Sequence, residues 1–349
     1  MTIGVGILGF AHGHVHAYCD QWREHPDWDV AVRAGYDHDA DRLAAAVKQH
    51  GIEVCDTAAA LLARKDIDAV VIAAETAYHA DLVEQAAAAG KTVILQKPIA
   101  LTMDEADRIV AAVDRAKVPF TLAWQMRVDP QNMHMKHLVD SSAVGRVYMV
   151  RRRHGLPTQS WPWINDSWHT DPQLNRGMWA DDASHAIDFL LYLLGEPVSV
   201  TAEIATLRTP DVPDDNGIAV YRYADGTIAE VCSSFTCVAA ENTTEIIGEN
   251  GSIIQNYGDV PSCNVPRAKN AVGLKWYIEA DKSWRSAALD SPSTHGERIA
   301  ALAGPFADFL HGRREPIATA GEGRTALCMT LAAHKASDEG RRVSLTELK

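Results

Sequence analysis

The stretch Ile3-Gly4-Val5-Gly6-Ile7-Leu8-Gly9-Phe10-Ala11-His12-Gly13-His14 decides the fold. Its first six residues are apolar or glycine with no polar alternation, as in a strand buried on both faces. A glycine turn follows, and a helix is predicted from about Val15 to Glu24. The same strand–turn–helix unit recurs down to residue 124. Strands are predicted at 30–35, 54, 69–74, 92–95 and 120–124, with helices at 39–50, 57–64, 78–89 and 102–116. Thr102 with Glu105 reads as a capping box, and Gly90 as a helix stop. Buried strands separated by helices predict a Rossmann-type, doubly wound parallel sheet over residues 1–124. Ligands of such sheets lie at the carboxyl ends of the strands.

Those ends carry chemistry. Gly9-x-Ala11-x-x-His14 stands where a dinucleotide-binding Gly-x-Gly-x-x-Gly/Ala turn would stand, in degenerate form. Gly9 permits the tight turn, and Phe10, Ala11 and His12 complete the loop beside a nucleotide. Asp37 ends the second strand, 28 residues after Gly9. A carboxylate there accepts from the two hydroxyls of an adenosine ribose and repels a 2′-phosphate, which favours NAD over NADP. A plain helix-start residue is the other, lesser reading of Asp37. His12, His14 and His16 would share a face on a strand and suit a metal, but a loop entering a helix splays them, so no metal site is expected. Lys97 follows a buried strand and precedes Pro98, so a stiff loop aims it, and it can donate to a substrate oxygen. A surface lysine is the other reading.

From Val147 the pattern changes. Segments starting at 148, 198, 218, 227, 244 and 251 alternate in polarity, with turn signals at Asp225-Gly226 and Asn250-Gly251. They predict an α+β domain over residues 125–349, built on a large, mostly antiparallel open sheet. One helix stands out, 181–194, closed by Gly195. Asp181, His185 and Asp188 fall at i, i+4 and i+7 on one face. A carboxylate one turn from an imidazole can fix the ring's tautomer and raise its basicity, as a general base needs. The same pattern also fits a solvated acidic first turn. Residues 155–176 form a long irregular stretch with Trp161, Trp163, Trp168 and His169. Aromatic faces suit the C–H faces of a sugar, and loops this long are often functional; a tryptophan plug over the sheet edge is the alternative. Gln125, Arg153 and His154 are further pocket candidates. Residues 297–345 read as two helices and a short strand.

Composition bounds the class. The chain has 349 residues, 47% hydrophobic, with a formal net charge of −13. That balance argues against nucleic acid or an anionic membrane as partner. Six scattered cysteines (Cys19, Cys55, Cys232, Cys237, Cys263, Cys328) include no Cys-x-x-Cys pair, so neither a zinc knuckle nor a disulfide scaffold is signalled. The first residues read as a strand rather than a signal peptide, and no run reaches membrane-spanning length, so a cytoplasmic enzyme is expected.

Taken together, these residues resemble the Gfo/Idh/MocA oxidoreductase family. The family's Glu-Lys-Pro appears as Gln96-Lys97-Pro98, and its Asp-x-Gly-x-His-x-x-Asp as Asp181 to Asp188. Trp124 to Pro130 looks like its crossover segment, and Gly145-Arg146-Val147 like its entry to the second sheet. The resemblance implies hydride transfer between NAD and a sugar, sugar derivative or cyclitol. Lys97, Asp181 and His185 then correspond to the catalytic lysine, aspartate and histidine. It implies cofactor contacts at Ala74, Glu75, His79, Gln96 and Lys97 beside the glycine turn, and homodimers or homotetramers through the open sheet. Ala11, His14, Gln96 and the Ala74-to-His79 segment depart from the family pattern. Two other functions fit the same residues: a redox-neutral NAD-dependent glycoside hydrolase or lyase, and a non-catalytic nucleotide- and sugar-binding regulator.

Overall fold

The computed structural model describes residues 1–208, 211–239, 242–258 and 272–349; Cys263 lies outside them. The chain forms two compact units. One holds residues 1–125, 173–175 and 299–327, the other 126–172, 176–298 and 328–349. The return of 299–327 to the first unit is a feature that a single boundary after residue 124 does not carry.

The first unit alternates as its sequence predicts: β1 (Ile3–Leu8), α1 (His14–Glu24), β2 (Val30–Tyr36), α2 (Ala40–His50), β3 (Glu53–Val54), α3 (Ala58–Leu62), β4 (Ala69–Ile72), α4 (His79–Ala88), β5 (Thr92–Leu95), α5 (Met103–Ala116) and β6 (Phe120–Leu122). The six strands lie in the order β3-β2-β1-β4-β5-β6, all parallel. Val5, Ile7, Leu8, Val70, Ile72 and Leu95 are wholly buried, which is why these strands show no polar alternation. Thr102 and Glu105 form the capping box of α5. Residues 299–327 are tied on by Trp22 Nε1 donating to the Ala303 carbonyl at 2.9 Å, and by Leu122 N donating to the Ala318 carbonyl at 2.9 Å.

The second unit contains α6 (Pro130–Asp140), β7 (Val147–Gly155), α7 (Ser184–Leu194), β8 (Ser199–Ala205), β9 (Asn216–Arg222), β10 (Ile228–Ser234), β11 (Asn242–Gly248), β12 (Gly251–Gly258), β13 (Leu274–Ile278) and β14 (Ser283–Ala287). The chain ends with α8 (His295–Ala300), α9 (Ala303–Leu310), α10 (Ala320–Glu339) and β15 (Val343–Ser344), one helix more than the sequence suggests. Nine strands form one sheet, β14-β13-β12-β11-β7-β10-β9-β8-β15, antiparallel except that β7 and β10 run parallel. The sequence reading leaves out β13 and β14. The β11–β12 turn sits one residue earlier than Asn250-Gly251 suggests: Gly248 pairs with Gly251 across it. Gly251 is needed for close approach instead, since a Cβ there would meet the Tyr277 carbonyl oxygen at 2.1 Å. One sheet face is closed by α7: Val150, Arg152 and His154 of β7 are buried, and the Arg152 guanidinium lies 4.7 Å from the Phe189 ring centre. Arg151 and Arg153 point to the opposite, open face. No helix among the described residues is long and apolar enough to cross a membrane.

Candidate active site

In the first unit the candidate residues gather at the carboxyl ends of β1, β2, β4 and β5. Gly9 has φ +86°, and a Cβ on it would stand 2.5 Å from both N and Cα of Ala74. Only glycine allows this approach of the two loops. Beside it opens a cleft of about 320 Å³ lined by Gly9, Tyr36, Asp37, His38, Ala74 and Tyr78. A backbone cradle that a side chain would fill, with a carboxylate at its rim, fits the adenosine end of a dinucleotide. Phe10 is buried, its ring stacks on His16 and its N–H donates to Asp37 Oδ2 at 2.6 Å. Asp37 also accepts from Asp39 N and from two guanidinium nitrogens of Arg42. Arg42 further reaches Glu75 Oε1 at 3.0 Å, so Glu75 is charge-paired rather than bare.

The histidines of the first loop do not all splay apart: the rings of His12 and His14 are in contact, with centres 4.2 Å apart. His12 is buried with its ring edge-on to His14, while His16 Nδ1 meets His50 Nε2 at 2.8 Å. Among the described residues no cluster of three His, Cys, Asp or Glu side chains suits a metal ion. His79 is wholly buried and links two loops: Nδ1 faces the carbonyls of Pro98 and Ile99 at 3.0 and 3.3 Å, and Nε2 faces that of Ala74 at 3.2 Å. Burial pushes its pKa down to about 4. It therefore braces the segment that follows Lys97. Lys97 is 3% exposed and precedes a cis proline. Gln96 turns inward, its Nε2 donating to Tyr18 Oη at 2.8 Å. Gln125 is fully buried in the short turn after β6.

In the second unit a π-helical turn, Trp179–Ala183, leads into α7. Such turns are rare and concentrate at functional sites. Trp179 is held against β9, where a Cβ on Gly217 would lie 2.6 Å from the indole. The turn buries Asp181 and Asp182, and His185 follows at 1% exposure. Asp182 Oδ1 lies 3.6 Å from His185 Nε2, and Asp182 Oδ2 lies 2.8 Å from His154 Nε2. His154 Nδ1 meets Asn242 Nδ2 at 3.1 Å. Asp188, the third polar residue of the helix face, serves another purpose: its carboxylate takes Nε and Nη2 of Arg127 at 2.9 and 2.7 Å. Breaking a buried pair of this kind costs about 3–5 kcal/mol, so its role is to hold α7.

The irregular stretch is a run of short turns bearing contiguous rings. Trp161 stacks on Trp163 at 5.9 Å, His169 meets Trp163 edge-on at 6.0 Å, and Trp168 stacks on His169 at 3.9 Å. Trp163 is 57% exposed. His154 and His185 are thus brought together, with ring centres 6.2 Å apart. Arg153 is not, because the strand's alternation sends it to the open face. Sequence reasoning missed Arg42, Asp182 and Asn242. Only Asp182 left a local trace, as the second acid of a doublet.

Comparison with known proteins agrees with this architecture. The family described as "Oxidoreductase family, NAD-binding Rossmann fold" matches residues 2–123, and "GFO/IDH/MocA C-terminal domain" matches residues 132–254. Inositol 2-dehydrogenase of Rhizobium meliloti is 31% identical over 260 residues, 72% of this chain and 75% of its own length. Levoglucosan dehydrogenase of Pseudarthrobacter phenanthrenivorans is 28% identical, over 73% of this chain and 72% of its own length. A solved structure of a levoglucosan dehydrogenase with NADH and levoglucosan has a TM-score of 0.84 at 21% identity, over 99% of this chain and 100% of that one, which shows a shared fold.

Proposed function

The chain belongs to the Gfo/Idh/MocA oxidoreductase family, and we propose that it is an NAD-dependent dehydrogenase of a sugar, sugar derivative or cyclitol. The observation that carries this reading is the buried His185 beside a carboxylate at 3.6 Å. An imidazole so placed is equipped as a general base, and distant relatives are sugar and inositol dehydrogenases. NAD, when bound, accepts the hydride. His185 takes the hydroxyl proton from the carbon being oxidised. Asp181 assists from the turn before it. Lys97 donates a hydrogen bond to the same oxygen and stabilises its developing negative charge. NAD is preferred over NADP because Asp37 stands at the rim of the cleft beside Gly9. The rings of Trp161, Trp163, Trp168 and His169 offer stacking faces for the substrate's C–H surfaces. The exposed face of the nine-stranded sheet pairs with a second copy to give a dimer or tetramer.

A panel of sugars, anhydrosugars and cyclitols, each with NAD and with NADP, tests the reading by absorbance of the reduced nicotinamide. Reduction of NAD by at least one polyol is expected. No reduction with any of them, or product without net NADH, would overturn the dehydrogenase assignment.

A further inference from the structure

We propose that Asp182 and His154 are positioning residues that, with His185, form a buried His–Asp–His chain orienting the catalytic imidazole. The inference rests on His185 being the general base, as proposed above.

Hydrogen-bond direction follows from the backbone outward. Gly155 N donates to Asn242 Oδ1 at 3.0 Å. That contact fixes the Asn242 amide, whose Nδ2 end then faces His154 Nδ1 at 3.1 Å and donates to it. A ring that accepts at Nδ1 carries its proton on Nε2. His154 is therefore a neutral Nε2–H tautomer that donates to Asp182 Oδ2 at 2.8 Å. With one oxygen held, the other, Oδ1, faces His185 Nε2 at 3.6 Å. Hydrogen bonds in catalytic sites without substrate are often long and tighten on binding. The four residues are at most 8% exposed, with the Asp182 side chain at 11%, so these contacts are largely shielded from water.

The division of labour is that of a catalytic triad with one further member. Asp182 faces the Nε2 edge of His185, and the imidazole takes the substrate's proton. The proton moves from the hydroxyl to His185, the hydride leaves to the nicotinamide, and Asp182 and His154 keep their protonation states. Asp182 compensates the imidazolium charge that appears, and His154 keeps Asp182 in register. The π-turn accounts for the position: it sets the carboxylate three residues before the histidine, where the sequence motif points to the one four before.

The test uses the full chain and four variants, with kcat, KM for the best sugar of the panel, NAD affinity and thermal midpoint measured for each. Asp182→Asn should lower kcat about 100-fold or more while KM and NAD affinity change less than about threefold. His154→Gln keeps a donor for Asp182 and should retain kcat within about fivefold. His154→Leu and His154→Phe lack that donor and should lose about tenfold or more. Nitrogen-15 NMR of the histidines in the unmutated protein, which needs no substrate, should find His154 neutral and protonated on Nε2 at pH 7. Wild-type kcat in Asp182→Asn, equal losses in all three His154 variants that track the thermal midpoint, or an Nδ1–H or doubly protonated His154 would each overturn the proposal. Failure of the unmutated protein to oxidise any sugar would instead fall on the dehydrogenase reading.

Discussion

Arg42 clasps Asp37 with two nitrogens of its guanidinium, Nε at 2.9 Å from Oδ2 and Nη2 at 2.7 Å from Oδ1. Burial alone would raise this carboxyl group, but Arg42 and the N–H groups of Asp39 and Phe10 hold it below the usual carboxylate range. Asp37 is thus ionised at neutral pH and fixed in place, with a cation bound to it.

That pairing sharpens the expectation for cofactor choice. Asp37→Ala removes the carboxylate we propose as acceptor for the ribose hydroxyls and releases Arg42, a side chain well shaped for phosphate. NAD should bind about tenfold or more weakly, the equivalent of losing a hydrogen bond to a charged group. NADP should bind as before or more tightly. Fluorescence titration with both nucleotides decides it, and an equal loss for the two would remove Asp37 from cofactor selection.

His185→Ala should lower hydride transfer by about 100-fold or more and leave NAD affinity near its original value. Stopped-flow measurement of nicotinamide reduction reads the first quantity, and equilibrium titration the second. Unchanged turnover would take His185 out of the mechanism.

Much of the fold was legible because its signals are local. Runs such as Val70-Val71-Ile72 carry their double-sided burial in their own composition, and Thr102 and Glu105 cap a helix three residues apart. What was not legible is set by distance along the chain. Arg127 meets Asp188 across 61 positions and His154 meets Asp182 across 28. No spacing rule links such pairs, so Asp188 read as part of a catalytic face and His154 as a substrate contact. The π-turn compounds this. It interrupts the helical period just where the acid doublet lies, so counting i to i+4 singles out Asp181 and passes over Asp182, whose carboxylate lies beside both imidazoles. Strand β14 escaped for a different reason: Ser283 to Ser286, Trp284 among them, are all exposed, so its sequence carries no buried face.

His79 should make the first unit sensitive to acid. Its value of about 4 in the folded chain lies below that of an exposed histidine, so on acidification the unfolded chain takes up the proton first. The stability it confers is complete above about pH 6.5 and is lost as pH falls toward 4, by up to about 3 kcal/mol. Urea unfolding at a series of pH values should show that loss, and in His79→Gln the same interval should be flatter. Parallel curves for the two proteins would mean that the loop brace does not titrate.

The open face of the nine-stranded sheet carries Ile218 at 48% exposure, paired across the strands with Cys232 and Glu203, and further along it Arg151 and Glu230. If a second copy covers it, Ile218→Glu buries a carboxylate in the contact and should shift the protein to monomer in sedimentation velocity, with secondary structure unchanged. A wild-type chain that is already monomeric at micromolar concentration would refute pairing through this face.

Two glycines of the first loop offer a matched comparison. Gly9 sits at φ +86° with Ala74 backbone atoms 2.5 Å from where a Cβ would be, whereas Gly13 is right-handed helical with nothing within 4 Å of that position. Gly9→Ala must adopt a left-handed backbone and also push the β4 loop away, so it should cost about 1–3 kcal/mol or more. Because the displaced residue, Ala74, lines the cleft, NAD affinity should fall in step. Gly13→Ala meets no obstacle and reduces the freedom of the unfolded chain, so stability should hold or rise by about 0.4–1 kcal/mol. Thermal melts with and without NAD separate the two effects. A Gly9→Ala protein that binds NAD as tightly as the parent would show that this turn does not receive the dinucleotide.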